Sequence, residues 1–174
     1  FYPEAVSEVQ RKYLGTLWNT YAFFCLYADI DGYDPSEYSL KNCRLSLMDR
    51  WILSRLNTLV DAVDKYLAAY NITDSARALQ DFADVLSNWY VRRGRERYWG
   101  KEMTEDKAAA YTVLWHVLVT FAKLTAPYTP FIAEEMYRGL VPKFFKDAPV
   151  SVHLCDFPVC DPSFIDGELE KGIE

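Results

Sequence analysis

Residues 46–70, SLMDRWILSRLNTLVDAVDKYLAAY, decide the fold. Met48, Ile52, Leu56, Leu59, Val60, Val63 and Leu67 fall on one stripe at helical spacing, while Arg50, Asp61, Asp64 and Lys65 lie away from it. The spacing predicts a helix opening at Ser46 or Asp49 and running to about Tyr70. A helix with one apolar side gains most of its stability by laying that side on other elements. The rest of the chain must therefore supply partners.

It supplies them on both sides. Asn71-Ile72 makes a short turn, and Thr73 or Asp74 is placed to cap the next helix. That helix turns Leu79, Phe82, Ala83, Leu86 and Tyr90 inward and is read as ending at a Gly100 C-cap. Upstream, from about Pro3 to Ala28, Val6, Gln10, Tyr13, Leu17, Tyr21, Phe24 and Ala28 form another stripe, followed by the turn-rich DIDGYDPSEYS. The opposite side of this first helix carries Lys12, Gly15, Asn19, Ala22, Phe23 and Leu26, too apolar for a free surface, so a further surface should cover it. Downstream, a helix from about Glu105 to Thr125 presents Tyr111, Leu114, Trp115, Leu118, Phe121 and Ala122, and Pro130 starts a shorter one to about Leu140. VSVHLCDF, residues 150–157, alternates like a strand. Long helices joined by short turns predict an all-α antiparallel helical bundle over residues 1–148, with 149–174 holding a short strand and the start of a following segment. Leu17, Tyr21, Ile52, Leu59, Leu79, Leu86, Leu114 and Leu118 are the predicted core.

With 174 residues, 51% of them hydrophobic, the chain can bury a good core and is not a disordered segment. Its net charge of -6 excludes a coat protein basic all over, so any nucleic-acid contact must be a local patch. Cys25, Cys43, Cys155 and Cys160 show no CxxC pair, which speaks against a disulfide scaffold or a closed zinc site. His153-x-Cys155 with Cys160 nearby reads as a strand with incidental thiols. The longest apolar run, Tyr111–Leu124, is broken by His116 and Lys123, and no signal peptide is evident, so no membrane partner and a cytoplasmic setting are the expectation. The opening Phe1 and the helix-like ending GELEKGIE read as a piece of a longer polypeptide. No phosphate-cradling glycine loop, nucleophile elbow or H-E-x-x-H is present. Glu134-Glu135 point about 100° apart and cannot share a proton. No catalytic residue and no metal ligand is assigned.

The chemistry is concentrated in LSNWYVRRGRERYWG, residues 86–100. Arg92, Arg93, Arg95, Arg97 and Lys101 stand among Trp89, Tyr90 and Trp99. Guanidinium forks hold phosphates two bonds at a time, and any base stacks on a flat ring, so the combination suits an unpaired nucleic-acid strand. A solvated helix end, with cations offsetting the dipole, uses the same residues. Helical angles put Trp89 on the rim of the apolar stripe beside Arg92 and Arg93, as a stacking platform or an edge residue covered by arginine stems. Arg93 and Arg97 drift back toward the stripe, which requires carboxylate partners or a helix end projecting beyond the bundle. We read the end as projecting. Asn19 offers donor and acceptor groups suited to a base edge, or to a neighbouring backbone group.

LGTLWNTYAFFCLYA, LMDRWILSRLNTLV, ARALQDFADVLSNWYVRRGRERYW, LTAPYTPFIAEEMYRGL and SVHLCDFP, in this order, resemble the helical anticodon-binding domain of isoleucyl-tRNA synthetases over nearly the whole chain. LWNTYAFF and WILSRLN are common to the valyl and leucyl enzymes as well. SNWYVRR with the arginine-rich end is more particular to the isoleucyl type. Gly94 stands where the family usually has serine, which loosens the helix there by up to about 1 kcal/mol. The resemblance implies a fragment that binds the anticodon arm of the isoleucine tRNA and lies beside the catalytic domain of the same polypeptide. It implies no cofactor in this fragment, with ATP and magnesium used by the full-length enzyme and zinc, where present, outside these residues. By motif position it places Asn19 and Trp89 near anticodon bases, and Trp89 is the expected base-stacking platform. Arg92 and Arg93 follow as backbone or base contacts. Arg55, Arg95 and Arg97 complete the candidate set.

Overall fold

The computed structural model describes residues 2–173 and is all-α, with no strand among the described residues. The first rod is unbroken: α1 (Pro3–Val9), a π-helical stretch over Gln10–Gly15, and α2 (Thr16–Asp31). After a loop with two short 3₁₀ turns come α3 (Leu47–Ala68) and α4 (Ile72–Val85). The latter continues as a second π-helical stretch, Leu86–Val91. Then follow α5 (Glu105–Thr125), α6 (Pro130–Leu140) and a short α7 (Gly167–Ile173).

Cross-chain bonds give the packing. Tyr13 meets Thr125 and Tyr33 meets Thr112 through their hydroxyls at 2.6 and 3.0 Å, so the first rod and α5 run antiparallel. Asp49, at the start of α3, accepts from Tyr90 beyond α4 at 2.6 Å, which makes that pair antiparallel too. The starts of α3 and α5 and the end of α4 therefore share one end of the bundle. All eight residues predicted as core are buried, and Leu59 at 6% and Tyr21 at 9% are the most exposed of them.

Local chemistry sets the boundaries. Ser46 opens α3 with a reciprocal cap: its hydroxyl accepts from the Asp49 N–H at 3.1 Å, and the Asp49 carboxylate accepts from the Ser46 N–H at 2.9 Å. The cap of α4 is Asn71, not Thr73 or Asp74; its side-chain oxygen takes the Asp74 N–H at 3.3 Å. The chain reaches Asn71 through Tyr70 in the left-handed region at φ 57°. Gly139 lets α6 approach α2, since a Cβ there would lie 1.9 Å from the Tyr21 hydroxyl oxygen. Among the described residues α5 is long and apolar enough to cross a membrane, but 78% of its apolar window is buried in the bundle, where it is the core helix.

Two expectations are corrected here. Val6 and Gln10 do not face inward: α1 buries nothing, Val6 is 52% exposed, and Tyr13 is the first residue of the rod to enter the core. The strand over residues 150–157 does not form. The Val152 N–H goes to the Glu134 carboxylate at 3.0 Å, and the Ser151 hydroxyl captures the His153 N–H at 3.2 Å, tightening Val152–Leu154 into a 3₁₀ turn. Those donors are spent locally and no neighbouring strand offers acceptors. The tail instead lies on the bundle. Asn57 Oδ1 accepts from the Asp161 N–H at 2.9 Å, Ser54 Oγ accepts from the Asp166 N–H at 2.8 Å, and Glu170 accepts from the Thr58 hydroxyl at 2.8 Å.

Candidate nucleic-acid interface

The arginine-rich segment does not continue as one helix to Gly100. The π-helical stretch passes into a last helical turn through Arg93, and Gly94 ends it. The Gly94 N–H donates to the Tyr90 carbonyl at 3.0 Å, and a Cβ on Gly94 would approach that same oxygen at 3.0 Å. From Arg95 to Tyr98 the chain tightens into a 3₁₀ turn.

This break sorts the arginines. Arg92, Arg93 and Arg95 are exposed. Arg97 is not, and the projecting helix end is corrected. Its Nη1 and Nη2 donate to the two Asp49 carboxylate oxygens at 2.7 and 2.9 Å. Its Nε and Nη2 donate to Asp106 at 2.9 and 2.8 Å. The guanidinium side chain is 17% exposed and Asp49 is wholly buried, so each charge needs the other. Burial works to raise the Asp49 carboxyl, but the bonds from Arg97 and Tyr90 prevail and hold it below the ordinary aspartate range. Burial likewise works against the charge on Arg97, and the two carboxylates push its pKa up. Burial raises the Tyr90 hydroxyl well above its usual range, keeping it a neutral donor to Asp49.

Trp89 is half-buried against the core, and the Arg93 guanidinium carbon sits 3.8 Å over its ring. One indole face is thereby covered by a cation whose outer side faces solvent. Asn19 is exposed on α2, which packs against the π-helical stretch carrying Trp89. Arg55 is half-buried on α3, engaged in interactions of its own, about 9 Å below Asp49 by helical rise. The structure thus gathers Trp89, Arg92, Arg93 and Arg95 at one end of the bundle, with Asn19 on the adjoining rod and Arg55 set lower on α3.

Comparison with known proteins identifies the family. A family described as the anticodon-binding domain of tRNA ligase matches residues 49–174. The chain belongs to that family. Its relatives include the isoleucine–tRNA ligases of Clostridium acetobutylicum and Clostridium novyi, each 51% identical over 174 residues, covering all of this chain. The isoleucine–tRNA ligase of Dehalococcoides mccartyi is 50% identical over 173 residues, 99% of the chain. The chain spans 17% of the length of each of these relatives.

In this anticodon-binding domain, sequence reasoning allowed carboxylate partners for Arg97 but chose the projecting end, and it did not point to Asp49 or Asp106. One signal was present, since Ser46-x-x-Asp49 marks a capping box and Arg97 drifts into an apolar stripe. Nothing in the spacing marked Lys107, buried at the start of α5, which pairs with Asp31 at 2.7 Å and donates to the Gly100 carbonyl. The covered face expected on the first rod is divided. Phe23 packs within the domain on Tyr27 and Tyr98, with ring centroids at 4.8 and 5.2 Å, while Asn19, Ala22 and Leu26 stay exposed.

Proposed function

We propose that this chain is the anticodon-arm-binding module of an isoleucine–tRNA ligase, positioning the isoleucine tRNA for a reaction performed outside these residues. The observation that carries this reading is identity near one half with isoleucine–tRNA ligases along the whole chain. The exposed arginine end supports it physically. Arg92, Arg93 and Arg95 are free to meet phosphates, Asn19 to meet a base edge, and the Trp89–Arg93 stack to meet a base plane. Arg55 and Arg97 serve by position, Arg97 by fixing the turn that follows. ATP, magnesium and any zinc belong to the remainder of the enzyme, and the setting is cytoplasmic. The exposed Tyr2, Val6 and Val9 along α1 suit contact with that remainder, the catalytic domain included.

Titrating the chain with isoleucine tRNA at two salt concentrations tests the reading. Binding should weaken steeply with salt, and Arg92→Ala or Arg93→Ala should each reduce the slope of log K against log salt by about 1. Trp89→Ala should weaken binding by roughly ten- to a hundredfold. A valine tRNA should compete poorly. Salt-insensitive binding, or none, would reject the module in favour of a protein-docking bundle.

A further inference from the structure

We propose that Trp99 is the open base-stacking platform of this interface, held in place by the Arg97 lock for an unpaired base of the bound RNA. This rests on the reading of the chain as an anticodon-arm-binding module. Trp99 is 59% exposed, and among the described residues no ring or cation lies on its indole. The other candidate indoles differ. Trp89 is half-buried beneath Arg93, and Trp18, 41% exposed, packs on Tyr21 at 5.1 Å.

An exposed indole on a loose loop would lose freedom on binding, but the backbone here is pinned on both sides. Before it, Arg97 is tied to Asp49 and Asp106, and Tyr98 is 3% exposed, edge-on to Phe23 and Tyr111 at 5.2 and 5.0 Å. The Trp99 N–H itself donates to the Glu96 carbonyl at 3.3 Å. After it, the Gly100 carbonyl takes the buried Lys107 ammonium, which Asp31 holds. A Cβ added at Gly100 would meet no residue beyond its chain neighbours within 4 Å, so the chain just after Trp99 is uncrowded. Arg92, Arg93, Arg95 and Lys101 are exposed on either side of Trp99 in the chain, with Glu96, Glu102 and Glu105 also exposed, while Arg97 is taken by Asp49 and Asp106. An apolar ring among cations on a rigid turn fits a nucleobase joined to phosphates better than an apolar protein surface.

The test uses this chain and an RNA hairpin whose loop has the isoleucine-tRNA anticodon sequence with 2-aminopurine at one loop position. Trp99→Ala should weaken hairpin binding by about five- to a hundredfold and restore 2-aminopurine fluorescence, with the salt slope unchanged because no phosphate contact is lost. Trp99→Phe should keep most of the affinity, whereas Trp99→Leu, equally apolar but without a π face, should behave like Trp99→Ala. Full affinity in Trp99→Ala, while Arg92→Ala still lowers the salt slope, would overturn the platform and leave the RNA-binding reading standing. Equal binding by the Phe and Leu variants would make Trp99 an apolar contact and end the stacking assignment. No salt-dependent binding by the unmodified chain would overturn the module itself, and Trp99 with it.

Discussion

Arg93 and Arg97 are four residues apart, where an unbroken helix would set them on the same face, yet they end in opposite environments. Arg93 lies open over Trp89, and Arg97 is shut between Asp49 and Asp106. The difference originates in the backbone. Gly94 ends the helix between them, and the 3₁₀ turn that follows carries Arg97 back across the starts of α3 and α5. One arginine is therefore available to a ligand, and the other holds the surface on which the first is displayed. A basic cluster in sequence is not a basic cluster in space.

The strongest way to break this contrast is to remove the buried partner. Asp49→Ala should destabilise the chain by about 3–5 kcal/mol in urea unfolding, because Arg97 is left charged and largely buried. A loss below about 1 kcal/mol would mean that the lock contributes nothing beyond an exposed pair. Acid should open the same lock. The folded-state pKa of Asp49 is depressed, so its stabilisation is present above the ordinary aspartate range near pH 4 and is lost as pH falls through the lower folded value. Asp49→Asn should flatten that limb of the stability curve. His116, whose pKa is lowered by burial and by Lys123, also favours folding in its deprotonated form, but its limb starts earlier, as pH falls below about 6.5. His116→Gln should remove that limb alone.

Asp106 is the outer half of the lock and 57% exposed, so Asp106→Asn should cost less than about 1 kcal/mol while loosening the turn. Increased amide exchange at Arg95–Tyr98 would report the loosening, and unchanged exchange would assign the hold to Asp49 alone. Arg92→Ala should shift stability by no more than about 0.5 kcal/mol, since the side chain is exposed and makes no ion pair among the described residues. A loss comparable to that of Asp49→Ala would erase the distinction between the free and the locked arginines.

The helices and their buried faces were legible because regular stripes report burial directly: Ile52, Leu79 and Leu114 needed only a count of positions. The ends were less so. Val6 and Gln10 fail because the rod enters the core only at Tyr13, which no periodicity reveals. The strand over 150–157 fails because alternation says nothing of where the N–H groups find acceptors, and here Glu134 and Ser151 took them. In the candidate interface the rim position of Trp89 beside Arg92 and Arg93 could be read from angles. The fate of Arg97 could not, because angular arithmetic at 100° per residue lapses in the π-helical stretch and stops at Gly94.

The π-helical stretch over Leu86–Val91 also constrains how this segment can change length. A wide turn of this kind holds one residue more than an α-helical turn over nearly the same rise. Deleting a residue such as Ser87 would let the segment relax to ordinary α-helix with most of its hydrogen bonds intact. Everything beyond it would then keep nearly its phase, because one residue fewer at the tighter α-helical twist turns the chain through about the same angle, and Tyr90, Arg92 and Arg93 would stay on their faces. Homologues that bind in the same way should therefore tolerate the loss of one residue within Leu86–Val91 when the π-helical stretch is lost with it, and insertions should collect beyond Gly100, where the chain is exposed.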